Sequence, residues 1–402
     1  MSTGLLLAAV GFLGTPALPQ SMANAGARLE ARVRQTPVGA GERRLALDLD
    51  ATATGDISFT WRRTSLGFGY APRFTVTDVF DRGSKDLLHN AGINFGWQGR
   101  RLSLGVSEYA SYGRRWFSLT EPTATNPMTG LPVITAIPAP TSVLFVSLQT
   151  TLSARYQLSR RSILGASATY GISGGVDEES RRAVPLLKGP SATLQLEYHA
   201  TRSDTVGPEL SVAYTRATIA QPEDRTIVSG YVSGLGFWSR RWSHRVSSRL
   251  AGGVTVQRRF EPTQRVKVFP SGGAGFDYTV PWGGNHWMAT FSANATLGSV
   301  VNMLTGELQQ TASAFFLASW TRFRWTLHTS VGALRPIGRA GGDITLVFAD
   351  AGSHWGFTRA LGWDVGIRAG TQSTGRSEIP AASGTQIGVF TALSFTMPPH
   401  RL

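Results

Sequence analysis

The 402-residue sequence predicts an all-β chain: a single closed, antiparallel, up-and-down transmembrane β-barrel of about 18 strands, with about 16 as the alternative. Three observations carry the expectation. Apolar and polar residues alternate with a period of two from residue 27 onward, and no helical period competes. The connections fall into two classes, one very short and one long, as in barrels with short periplasmic turns and longer outside loops. Arginine recurs in the short class, as in "TWRRTSL" (60–66), "QGRRLSL" (98–104), "QLSRRSIL" (157–164) and "SRRWSH" (239–244).

Composition narrows the class further. Charged residues are 16%, below the roughly 25% of an average globular domain, while Gly reaches 46 and Trp 11. The net charge of +14 would suit nucleic acid. The arginines, however, sit singly or in pairs at turns, with no basic helix or zinc-finger pattern, so no nucleic-acid partner is expected. Cysteine is absent, which excludes disulfides, thiol catalysis and cysteine-ligated metals. Residues 1–25 read as a signal peptide: "GLLLAAVGFLG" (4–14) is an apolar core and "ANA" (23–25) a small-x-small cleavage pattern, although "MSTG" lacks a basic residue. That leaves 26–402 as the barrel of an integral outer-membrane protein of a diderm bacterium. No later segment approaches 18 consecutive apolar residues, so a helical membrane protein is excluded.

The elements follow in order. A first strand at 27–36 carries "ARLEARVRQT". The second, 44–61, is the most regular: Leu45, Leu47, Leu49, Ile57 and Phe59 share one parity, and Asp48, Asp50, Thr52, Thr54 and Asp56 the other. Strands at 64–79, 87–97 and 102–117 follow, the second and third of the chain being joined by "RRTS" and the fourth and fifth by "QGRR". At 143–158, Leu144, Val146, Leu148, Leu152 and Tyr156 oppose Ser147, Gln149, Thr151, Ser153 and Arg155. Strands at 163–175, 191–200, 205–217, 227–239, 243–257, 271–280, 286–298, 309–320, 325–335, 343–357, 361–372 and 386–397 complete the set. Longer loops are expected at 118–142, 176–190, 258–270 and 373–385. An even strand number brings both termini to the periplasmic side, and closure leaves no unpaired edge in lipid.

The turns and the polar parity supply the candidate functional residues. Amphipathic rings settle at the membrane boundary and guanidinium groups just beyond it meet lipid phosphates. Trp61, Arg62, Arg63, Arg100, Arg101, Arg160, Arg161, Arg240, Arg241, Trp320, Arg322 and Trp325 are therefore expected at the periplasmic interface. They would anchor the barrel in outer-membrane lipid or dock a periplasmic partner. A barrel of 16–18 strands leaves an aqueous channel. Asp48, Asp50, Arg73, Arg155, Glu197, Glu209, Arg245, Arg249, Asp277, Asp364 and Arg368 are the expected pore-lining charges, either paired across the wall or open to a solute. Both signs occur, which argues against a strong ion filter.

Catalysis has little to build on. His89, His199, His244, His286, His328, His354 and His400 are dispersed, without an HExxH, nucleophile-elbow or P-loop motif. No catalytic residue, cofactor or metal is expected, and an outer-membrane hydrolase stands only as a second alternative. The loop "EPTATNPMTGLPVITAIPAP" (121–140) is unusually apolar. It is expected either to constrict the mouth or to form an outer contact surface, whereas "VDEESRRAVPLLKGP" (176–190) reads as a solvated rim.

"LLHN" (87–90), "SYGRRWFSL" (111–119) and "GISGGVDEESRRAVPLLKGP" (171–190) followed by "TRSDT" resemble the myxobacterial outer-membrane barrels of the porin-like exopolysaccharide-export group. The resemblance spans the mature chain without being motif-grade. It implies an 18-stranded conduit that passes a secreted polysaccharide to the cell surface and works with a periplasmic outer-membrane polysaccharide-export protein. A general or solute-selective diffusion porin is the alternative on the same fold. A soluble all-β binding protein would instead be recovered without detergent.

Overall fold

A strand whose two faces meet different solvents can run well past the five or six residues usual in a globular sheet. The computed structural model describes residues 20–37, 43–80, 83–118, 124–125, 132–133, 142–220, 224–282, 287–302, 306–337, 344–374, 384–397 and 400–401. Its wall strands are β1 (Gln20–Pro37), β2 (Arg43–Thr60), β3 (Thr64–Tyr70, continued at Arg73–Val76), β4 (Lys85–Gln98), β5 (Leu102–Trp116) and β6 (Ser142–Gln157). β7 (Ser162–Gly175), β8 (Leu186–His199), β9 (Asp204–Ala220), β10 (Asp224–Arg241), β11 (Val246–Glu261) and β12 (Arg265–Trp282) come next. β13 (Trp287–Val301), β14 (Leu308–Arg322), β15 (Trp325–Pro336), β16 (Ile344–Gly356), β17 (Leu361–Thr374) and β18 (Gly384–Thr396) complete the wall.

Every strand pairs antiparallel with its neighbours in sequence, and β1 pairs with β18 from Gly26↔Thr396 to Gln35↔Ile387. The result is a closed 18-strand barrel. His400 and Arg401 add two pairs to the start of β1. Closure satisfies the backbone groups that an open sheet would leave unpaired in hydrocarbon.

Exposure runs opposite to that of a soluble protein. Leu29, Leu45, Leu152, Leu194, Val232, Leu250, Ile367 and Leu393 are exposed, while Glu30, Arg32, Arg34, Asp48, Thr255 and Gln257 are buried. Only the concave face brings side chains of non-adjacent strands together, so the buried polar parity is the lumenal one. The greasy parity faces lipid.

Several boundaries differ from expectation. β1 begins at Gln20, so residues 20–25, expected in the leader, pair with 55–60 of β2. Pro72 interrupts β3, since it has no N–H to donate; its carbonyl still accepts from Ala53 N at 3.1 Å. The expected loop 258–270 contracts to 262–264 between β11 and β12. The loop 176–190 contracts likewise, because β8 starts at Leu186. Both extensions carry charge on the outward parity as well, at Lys188 and Arg258, so the alternation used to find strands fades there. The contracted loop holds the one short helix among the described residues, α1 (Glu178–Ala183), capped by Asp177, whose carboxylate accepts from Ser180 N at 2.7 Å. Of loop 118–142, Ala124–Thr125 pairs with Pro132–Val133; the remainder of 119–141 lies outside the described residues.

Candidate conduit through the barrel

The lumenal parity of β1 reads Arg28, Glu30, Arg32 and Arg34, and these charges organise one side of the channel. Arg368 on β17 donates to Glu30 at 3.0 Å and to Asp350 on β16 at 3.2 Å. Arg28 reaches Asp364 on β17 at 2.9 Å and Glu30 at 3.1 Å, and Arg32 meets Glu30 at 2.7 Å. His328 and His354 extend the chain through Asp350 (3.1 Å) and Asp364 (2.8 Å). On the other flank Arg34 pairs with Asp48 at 2.6 Å and Arg73 with Asp50 at 2.5 Å. The links from β17 to β1 pass over β18, whose lumenal positions there are Gly388, Phe390 and Ala392. The Arg368 guanidinium lies 4.0 Å from the Phe390 ring centroid.

The opposite wall is milder. Hydroxyls join neighbouring strands in pairs: Thr151 with Thr169 (3.0 Å), Thr193 with Ser211 (3.2 Å), Thr255 with Ser233 (2.8 Å) and Ser271 (2.9 Å), and Thr296 with Ser313 (2.6 Å). Two ion pairs interrupt them, Arg155–Glu197 at 2.7 Å and Arg249–Glu209 at 3.0 Å.

The eleven pore-lining candidates thus have definite places. Asp48, Asp50, Arg73, Asp364 and Arg368 join the ionic side, and Arg155, Glu197, Glu209 and Arg249 form the two pairs opposite. Asp277 accepts from Ser292 Oγ at 2.8 Å. Arg245 sits in the turn between β10 and β11, at the rim and outside the strands, with its carbonyl accepting from Thr279 N. Sequence reasoning missed Arg28, Glu30, Arg32 and Arg34. The signal was present in "ARLEARVRQT", where charge falls on every second residue.

The end with the longer connections narrows. After β5 the chain turns inward, and Phe117 packs with Val143 and Phe145 of β6, Val184 behind α1, and Leu346 of β16 on the far wall. Arg115 stacks on Phe117 and Phe145 at 5.1 and 5.4 Å. Arg34 of β1 lies over the Trp116 ring at 5.6 Å, and Ser118 Oγ donates to Gln386 Oε1 on β18 at 3.1 Å. Residues 116–118 therefore cross part of the mouth and tie β5 to the opposite side. Nearly all of 121–140, expected either to constrict the mouth or to form an outer contact surface, lies outside the described residues; the segment entering it is directed inward.

The end with short turns carries the predicted rim residues. Trp61 sits beyond β2 beside Phe59 (6.2 Å), with Arg62 and Arg63 in the turn. Arg100, Arg101, Arg160 and Arg161 occupy the next two turns. Arg240 and Arg241 end β10, and Arg240 stacks on Trp242 at 4.4 Å. Arg322 lies over Trp287 at 5.5 Å, Trp325 packs edge-on against Trp287 at 5.3 Å, and Trp320 against Phe291 at 5.7 Å. This is an aromatic girdle with arginines beyond it, as a lipid–water boundary favours.

A closed wall with a lipid-facing exterior, a polar lumen and an interfacial girdle defines an integral outer-membrane β-barrel. The chain matches the exopolysaccharide export family EpsX over residues 19–388 and belongs to that family. No curated protein matches it. Among solved structures it is similar to the FrpB iron transporter of Neisseria meningitidis (F5-1 variant), with TM-score 0.51 and 8% identity over 90% of this chain and 64% of that one. It is also similar to Pseudomonas aeruginosa OpdQ (TM-score 0.46, 12% identity, 94% and 99% covered) and OccK11 (TM-score 0.47, 12%, 97% and 99%). These likenesses concern the fold. Family and architecture together support a barrel conduit with a role in export.

Proposed function

We propose that the barrel passes a secreted polysaccharide to the cell surface as an extended hydrophilic chain. The observation that carries this reading is the chemistry of the lumen. Most of its charges are closed into ion pairs and many of its hydroxyls into pairs between strands. Neither sign of charge dominates the path, while hydroxyl and amide groups exchange hydrogen bonds with a sugar chain at little net cost. A diffusion porin uses the same fold but has no need of a polymer-length polar path. The apolar cluster at Phe117 and Leu346 would keep the membrane sealed between transport events and yield to a chain advancing from the periplasm. The arginine rim offers a periplasmic polysaccharide-export partner a docking surface.

A strain lacking the gene is expected to lose secreted polymer and to regain it with the gene restored in trans. Full polymer secretion combined with lost small-solute uptake would overturn the reading in favour of a diffusion porin.

A further inference from the structure

On the lipid-facing side of β8–β11 three basic residues gather where the wall leaves the outer leaflet. Lys188 stands directly opposite Arg216 in the β8–β9 register, both on the outward parity. Two like charges so placed repel. Arg258 lies in the adjoining row, opposite Gly230, which is itself opposite Tyr214. Among the described residues none of the three forms an ion pair; Arg258 contacts Gln264 Oε1 at 3.5 Å and stacks on Phe260 at 5.1 Å.

Immediately toward the membrane centre lies a depression of about 630 Å³, walled by Tyr170, Tyr214 and Phe260 and floored by Pro190, Ala192 and Gly230. Gly230 keeps its middle open, because a Cβ there would lie 2.8 Å from the Ala213 carbonyl oxygen and 3.5 Å from the Phe260 ring. From β8 to β11 is three strand spacings, about 15 Å. Glu261 of β11, which the register places opposite Val228 and so in the row of Lys188 and Arg216, forms no ion pair with any of the three among the described residues.

We infer that this face binds a phosphorylated glycolipid of the outer leaflet, of the lipid A class. Its phosphates lie among Lys188, Arg216 and Arg258, and one acyl chain fills the depression. A zwitterionic phospholipid brings its own ammonium and cannot relieve the Lys188–Arg216 repulsion as fully. A second copy of the chain would need to present carboxylates at the same height.

The test is native mass spectrometry of the full-length barrel in detergent, titrated in turn with diphosphoryl lipid A, monophosphoryl lipid A and phosphatidylethanolamine. The expected result is one retained diphosphoryl lipid A, weaker monophosphoryl binding and little phosphatidylethanolamine. Combining Lys188→Gln, Arg216→Gln and Arg258→Gln should weaken lipid A binding at least roughly tenfold. Ala192→Trp, which fills the floor and keeps every charge, should also weaken it, separating an acyl-chain seat from mere charge attraction. Retention of the heat-modifiable gel shift establishes that each variant is folded. Undiminished lipid A binding by the folded triple variant would overturn the inference. So would equal retention of phosphatidylethanolamine, or a lipid-free dimer that the triple variant abolishes.

Discussion

Glu30 is the residue on which the ionic side of the lumen converges, since Arg28, Arg32 and Arg368 all contact it. Removing one member of a shared network leaves its partners poorly compensated, so the cost exceeds that of a lone surface pair. Glu30→Gln is expected to lower stability by roughly 1–3 kcal/mol, read as an earlier loss of the heat-modifiable gel shift. Arg182→Ala, which breaks the exposed Arg182–Glu178 pair (2.7 Å), should change it by less than about 0.5 kcal/mol. At the mouth, Phe117→Ala together with Leu346→Ala should raise single-channel conductance, and an unchanged value would mean that the cluster does not limit the path. Outside the membrane, hydrogen bonds from the Ser180 side chain and backbone hold the Asp177 carboxyl below its usual range. A depressed folded value means that the cap is fully present above the unfolded carboxylate range and is lost as pH falls through the folded one. The protection of the Val184 amide against hydrogen exchange, relative to its intrinsic rate, should fall only as pH drops through the lowered Asp177 value; the amide donates to Ser180 O at 2.9 Å, and Asp177→Asn should remove that dependence.

At the scale of elements, legibility followed the solvent. Where a strand touches lipid on one side and water on the other, as in β2 from Leu45 to Phe59, alternation marks it almost to the residue. Where charge falls on the outward parity as well, as at Arg258 or Lys188, the pattern disappears and the segment reads as a loop. The candidate site divides in the same way. Asp48, Asp364 and Arg368 could be assigned to a face from parity alone. Their partners could not, because links such as Arg28–Asp364 cross an intervening strand and depend on closure. Nor could Phe117 and Leu346 be matched, since nothing local to either tells of the other. One close approach on β17 is testable: a Cβ at Gly366 would lie 2.5 Å from the Ala351 carbonyl and 2.7 Å from the Phe390 ring. Gly366→Val is expected to reduce the folded, heat-modifiable fraction sharply, whereas Gly171→Val, at a position with open space, should not.

For the whole molecule, the balance of lumenal charge predicts weak ion selectivity. In a planar bilayer under a salt gradient, the variant with the widened mouth should show a reversal potential near zero, because the carboxylates and guanidinium groups neutralise one another along the path. A strongly cation- or anion-selective current would require that some of these pairs open in the membrane.

The links between β17 and β1 join residues more than 330 positions apart in the chain, Arg28 to Asp364 and Arg368 to Glu30. While the sheet is still an open ribbon, those groups stand at opposite ends of the molecule and gain nothing from each other. Their attraction is released only when the first and last strands meet. The seam is thereby latched from within, so an incompletely inserted barrel is less stable than its count of formed ladders would suggest, and the finished one resists unzipping at its newest joint.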